Sequence, residues 1–218
     1  MRIVIAGAHG QVARHLGRQL ASRGDEVIGL VRNPAHVPDL EADGVRPVVY
    51  DLERGTAEEL APHLAGADAV VFAAGAGPGS GAARKDTVDR AGAVQLADAA
   101  ERAGVRRYVM VSSMGADTGG AGVDDEVFAA YLDAKKAADE DLMARDLDWT
   151  IIRPGGLTDE PGTGSVTLGR EVGRGSIPRE DVARVICAAL DDPATAGLVV
   201  EAISGDERIA VALADLTD

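Results

Sequence analysis

The chain has 218 residues, 46 % of them apolar and only 3 % aromatic, so its core is expected to be built from Ala, Val, Leu and Ile within one compact domain. A formal net charge of -14 disfavours nucleic acid and anionic membrane as partners. The single cysteine, Cys187, excludes an internal disulfide and favours a reducing compartment.

The first stretch, "MRIVIAGAHG", is too short and too glycine-rich for the apolar region of a signal peptide. No run approaches the ~20 apolar residues of a membrane span. A cytoplasmic protein is expected. Apolar bursts predict strands at Ile3–Ala6, Val27–Val31, Val45–Tyr50, Ala69–Ala73, Tyr108–Val111 and Trp149–Ile152. Helical spacing fills the gaps, over Gln11–Arg23, Thr56–Leu64, Ala82–Ala103 and Asp124–Arg145. Continuous rather than alternating apolar runs suit strands buried on both faces of a parallel sheet. The expected fold is a doubly wound α/β sheet, a Rossmann fold. After Pro154 the pattern loosens into Gly- and Pro-rich sequence with a short strand near Val166. A helix over Arg179–Leu190 and a last strand over Leu198–Ala202 follow. Residues 155–218 are expected to form a small substrate or lid portion, with Gly155–Pro178 as much of the pocket wall.

Between the first strand and first helix, "IVIAGAHGQVARHL" sets Gly7, Gly10 and Ala13 in a G-x-x-G-x-x-A pattern. Gly7 permits a tight turn, Gly10 lets a diphosphate approach the backbone, and Ala13 lets the helix lie close to the sheet. Amides of His9, Gln11 and Val12 would then face the phosphates, aided by the helix dipole. An NAD site usually carries an acid at the end of the second strand. Here that end reads "LVRNP", and Arg32 suits a 2′-phosphate, with Arg14 as possible reinforcement. NADP is therefore the expected cofactor. Asp51 and Leu52 after the third strand are assigned to the adenine end. The small residues Ala73, Ala74 and Gly75 let the cofactor cross the strand tips.

The stretch "AYLDAKKAADEDL" places Tyr131 and Lys135 one helical turn apart, in a chain with three tyrosines and three lysines. A free phenol holds its proton too tightly to serve at neutral pH, and a nearby ammonium favours the phenolate. Tyr131 is expected to give a proton to a carbonyl oxygen as hydride arrives, with Lys135 also holding ribose hydroxyls. Ser112 and Ser113 end the fifth strand, where ligands bind in open parallel sheets. Ser113 is the candidate to orient the carbonyl.

These stretches, with "YDLE", "VDRAGAVQLADAAERAGVRRYVMVSSMG", "LDWTIIRPGGLTD" and "IPREDVARVICAAL", make the chain resemble the short-chain dehydrogenase/reductase superfamily, in particular its atypical NAD(P)-binding branch. The resemblance implies a nicotinamide cofactor at the strand ends and a Ser–Tyr–Lys set where activity is retained. It adds Asp89, three residues ahead of Gly92 where relatives often carry asparagine, and Pro154 and Gly155 beside the nicotinamide. Met114 stands where sugar-nucleotide-modifying relatives tend to have a hydroxyl. The leading expectation is NADPH-dependent reduction of a small carbonyl or quinone-like molecule. A redox sensor without turnover and a flavin- or biliverdin-type reductase remain open. His9 is assigned a solvent-facing role in the phosphate loop. His15, His36 and His63 are scattered, so no metal site is expected. Cys187 is assigned to the core, and the oligomeric state to monomer or homodimer.

Overall fold

Alternate residues of the first strand already define two layers. Ile3 and Ile5 face one side and are fully buried with Leu16, Leu20, Val182 and Ile186. Val4 and Ala6 face the other, with Leu60, Leu64, Leu96 and Ala100. Each large aliphatic side chain removed from water contributes roughly 1.5–3 kcal/mol. A strand apolar on both sides therefore sits in the middle of three layers.

The computed structural model describes residues 1–77 and 79–217. In chain order it runs β1 (Arg2–Ala6), α1 (Gln11–Ser22), β2 (Glu26–Val31), α2 (Val37–Ala42), β3 (Arg46–Val49), α3 (Ala57–Leu64) and β4 (Ala69–Phe72). The short helix α4 (Ala82–Arg84) loosens to π geometry over Lys85–Arg90 and resumes as α5 (Ala91–Ala103). Then come β5 (Arg107–Val111), α6 (Glu126–Met143), β6 (Asp148–Pro154), β7 (Gly156–Thr158), β8 (Ser165–Gly169) and β9 (Ser176–Pro178). The chain finishes with α7 (Arg179–Asp191), β10 (Leu198–Ser204), β11 (Glu207–Arg208) and α8 (Ile209–Thr217).

Nine strands form one sheet in the order β11-β8-β10-β6-β5-β4-β1-β2-β3. The run from β3 to β10 is parallel, while β8 and β11 add an antiparallel edge. The order reverses between β1 and β4, the place where doubly wound sheets bind ligands. The α/β doubly wound expectation holds, as one compact domain.

Local signals set several boundaries. Thr56 and Glu59 form a reciprocal capping box at the start of α3. Asp125 caps α6 by accepting the amides of Val127 and Phe128, both at 2.9 Å. Gly104, at φ 72°, ends α5 in the left-handed conformation.

The structure corrects the sequence reading in three places. The helix expected over Ala82–Ala103 is interrupted by the π stretch. The chain does not end its regular structure near Ala202, because β11 and α8 follow. Residues after 154 also supply β8, β10 and β11 to the main sheet and α7 to the layer beside α1, so they are part of the domain's body.

Candidate functional site

At the tip of β1 the backbone turns through Gly7, at φ 77°. A β-carbon there would collide with the backbone of Ala74, so this turn and the chain after β4 touch directly. The Gly10 amide closes the turn on the Gly7 carbonyl at 2.9 Å. The first ladder bond of α1 is Arg14 N–H to Gly10 carbonyl, at 2.8 Å, which leaves the preceding amides of the helix without carbonyl partners. A tight glycine turn with unpaired amides at a helix start suits a diphosphate, and these residues fit a dinucleotide.

Two cavities meet over this turn. The first, about 570 Å³, takes in Gly7, His9, Gly10, Arg32, Asp51 and Leu52. The second, about 520 Å³, takes in Gln11, Val12, Asp89, Ser112, Tyr131 and Lys135. Gly10 and residues 73–77, which include Ala73, Ala74 and Gly75, form a wall common to both.

The outer end of the first cavity is a charge cluster. Glu53 accepts Arg32 Nη1 at 2.6 Å, Arg84 Nη2 at 2.7 Å and the Thr87 hydroxyl at 2.8 Å. The Arg84 hydrogen bond, helped by Thr87 and by the charge of Arg32, holds the Glu53 carboxyl down at about 2. Two guanidiniums thus meet at the Glu53 carboxylate. Asp51 accepts the Glu53 amide at 3.0 Å and shapes that loop. Arg14 is engaged elsewhere: its Nε donates to Asp43 at 2.6 Å, and it lines neither cavity. The histidines are not all scattered. His9 and His36 stack with ring centroids 3.6 Å apart, and His9 Nε2 lies 2.8 Å from Asp39. That hydrogen bond lowers the Asp39 carboxyl, and burial together with His9 lowers His36. No group of three or more metal-ligating side chains exists among the described residues.

Helix α6 supplies the second cavity. Tyr131 and Lys135 lie on one face, and Asp139 continues the stripe by another turn. Lys135 is buried, 4 % exposed, and its Nζ donates to the Val111 carbonyl at 3.0 Å. The same Nζ is 3.4 Å from Asp89 Oδ1 and 5.8 Å from the centre of the Tyr131 ring. Asp89, 1 % exposed, also accepts the Ala76 amide at 3.1 Å and so ties the common wall to Lys135. Its inward position comes from the π stretch, a geometry common at functional sites.

The two serines diverge. Ser112 faces the cavity and donates to the buried Asp139 at 2.9 Å. Ser113 donates to the Met114 carbonyl at 3.2 Å and lines neither cavity. Arg153 Nε also donates to Asp139, at 2.9 Å, yet burial pushes that carboxyl up. Pro154 and Gly155 lie outside both linings, at the junction with β10 and the 175 turn. From the segment 155–178 only Leu157 lines the second cavity. Cys187 is half-buried, its thiol pushed up to about 11 by burial and placed 3.5 Å from Gln19 Oε1.

Sequence reading did not include Glu53, Arg84, Lys85, His36, Phe128, Asp139 or Arg179 in the site. Asp139 had a signal, being eight residues beyond Tyr131 on the same helix face. Phe128 had one too, three residues before Tyr131 on that helix, while the rest lie on elements whose meeting the sequence does not spell out.

Fold and site together define a nicotinamide-dinucleotide-binding Rossmann protein. A family model described as NAD(P)H-binding matches residues 7–193, and the chain belongs to that family. It is 38 % identical to the "Uncharacterized sugar epimerase YhfK" of Bacillus subtilis, over 99 % of this chain and 100 % of that protein. The structure of a putative NAD-dependent epimerase/dehydratase from Bacillus halodurans superposes with TM-score 0.89 at 38 % identity, over 99 % of both chains. The oxidoreductase ylbE of Lactococcus lactis gives TM-score 0.87 at 32 % identity, over 99 % of this chain and 96 % of that one. These likenesses place the chain in the atypical short-chain branch. No helix among the described residues is long and apolar enough to cross a membrane.

Proposed function

We propose that the protein is an NADPH-dependent oxidoreductase reducing a small carbonyl or quinone-like substrate. One observation carries the reading: Tyr131, Lys135 and Asp89 converge on a cavity whose back wall is also the wall of the dinucleotide cleft. The cofactor, when bound, supplies hydride. The chain's own part is to hold and move a proton. Tyr131 holds a proton at Oη and gives it to the substrate oxygen. Lys135, fixed by Val111 and Asp89, sets its Nζ 5.8 Å from the centre of the Tyr131 ring. Ser112 stands nearer the cavity than Ser113 and takes the orienting role when its hydroxyl turns from Asp139 to the substrate oxygen. The Arg32–Glu53–Arg84 cluster supports NADP over NAD, because a 2′-phosphate finds two guanidiniums there.

Steady-state assays with NADPH and an aldehyde or quinone panel test this. Tyr131→Phe is expected to lose about 10²–10⁴-fold in rate while still binding NADPH. In a thermal-shift comparison NADPH should stabilise the protein more than NADH. Wild-type rates in the tyrosine variant would overturn the catalytic role, and stronger stabilisation by NADH the cofactor choice. A sensor that binds NADP(H) without turnover is the second reading. It is favoured by one feature: the Lys135 ammonium is already held by two internal partners. It predicts binding without consumption for any acceptor.

A further inference from the structure

The second cavity is lined unevenly, and the unevenness describes a ligand. Seven large hydrophobic side chains are exposed among the described residues, and three of them, Val127, Phe128 and Leu157, line this cavity. Phe128 is 48 % exposed, in a chain where aromatics are only 3 % of residues. Its ring stacks on Tyr131, with centroids 5.9 Å apart and planes at 23°. The cavity thus carries an aromatic shelf next to the proposed proton donor. Wet aromatic area of this kind is stabilised by covering it with another flat ring.

A cation stands at the same shelf. Lys85 Nζ lies 5.5 Å from the Tyr131 ring centre and, among the described residues, donates to the Gly77 carbonyl alone, at 3.1 Å. Among the described residues no carboxylate pairs with it. The other charged groups lining the cavity are already engaged. Lys135 faces Asp89, Arg179 donates to Asp159 at 2.8 Å, and Asp125 caps α6. In a protein of net charge -14 an ammonium without a carboxylate partner at a cavity wall is a place for an anion.

We infer that the substrate is a flat aromatic carbonyl compound bearing a carboxylate, its rings on Phe128 and Tyr131 and its carboxylate on Lys85. This rests on the oxidoreductase reading for its carbonyl, while the ring and the carboxylate come from the lining. In the reaction the carbonyl carbon gains hydride from NADPH, which leaves as NADP⁺, and the oxygen gains the Tyr131 proton, giving an alcohol.

The test begins with calorimetric binding to the NADP⁺-saturated protein. Three probes are compared: 2-naphthoate, the uncharged 2-naphthol, and cyclohexanecarboxylate, which has the charge without the ring. Naphthoate is expected to bind about tenfold tighter than either of the others. Lys85→Gln should bring naphthoate down to the level of naphthol, and Phe128→Ala down to that of cyclohexanecarboxylate. Circular dichroism melts and NADPH binding check that each variant is folded. Equal affinity for the three probes, or full naphthoate affinity in folded Lys85→Gln, would overturn the inference. A turnover arm separates the two proposals by comparing 4-carboxybenzaldehyde with methyl 4-formylbenzoate. If the ester is reduced as efficiently as the acid, the ligand class is wrong and the oxidoreductase reading stands. If naphthoate binding depends on Lys85 and neither aldehyde is consumed, the ligand class stands and the oxidoreductase reading falls.

Discussion

Lys135 and Asp89 show how one residue pair serves both stability and site. Both are nearly fully buried, and each is the other's countercharge. Removing one partner of such a pair leaves an uncompensated buried charge, which costs about 3–5 kcal/mol. Lys135→Met is expected to lower stability to urea by that order. Adding Asp89→Asn to it should recover a large part, because the stranded carboxylate is gone. Single variants whose effects simply add would mean the pair is not coupled. Tyr131 and Lys135 were legible because a helix puts residues four apart on one face, a purely local rule. The partners of Arg32 were not legible. Glu53 arrives from the loop after β3 and Arg84 from the short helix α4, and nothing in "LVRNP" encodes which acid will meet the guanidinium. Of the two serines at the end of the fifth strand, the sequence reading chose Ser113 to orient the carbonyl. The pleat sends them to opposite sides, and only the one facing Asp139 reaches the cavity.

Among the elements, the strand–turn–helix unit of β1 and α1 was read most completely. Its glycines, its apolar strand and its amphipathic helix all agree, and consistency of that kind specifies a structure. Gly7 carries a specific expectation. Any side chain there meets both the left-handed backbone and the Ala74 backbone. Gly7→Ala should cost at least about 2 kcal/mol and remove the thermal shift produced by NADPH. Unchanged melting and an unchanged shift would show that the turn tolerates a β-carbon. The π stretch at Lys85–Arg90 was not legible. A helix that widens by one residue keeps nearly the same apolar spacing as one that does not. What changes is the aim of Val88 and Asp89, which face inward. Helix α8 was missed for a different reason. "IAVALADLT" is short, and its apolar spacing fits strand and helix alike.

Across the whole molecule, the chain after Pro154, where the composition loosens, is built into the main sheet. Strand β10 pairs in parallel with β6 and then carries the antiparallel edge of β8. A chain ending at residue 154 would bare the β6 edge and uncover the α1 face that α7 packs against. Such a fragment is expected to lack a cooperative transition. In the full chain, fluorescence of the lone Trp149, on β6, should follow the same urea midpoint as far-ultraviolet circular dichroism. Separate midpoints would mean that the C-terminal portion unfolds on its own. The parallel core was readable because every strand buried on both faces announces itself as an unbroken apolar run. The outermost strand β11, two polar residues long, carried no such mark. The partition formed by residues 73–77 gives the molecule one party wall between two rooms. Whatever leans on it from one side meets the tenant on the other through a single layer of peptide. Kinetic defects from substitutions there will thus fall on both occupants together, and neither Michaelis constant alone can say which one was disturbed.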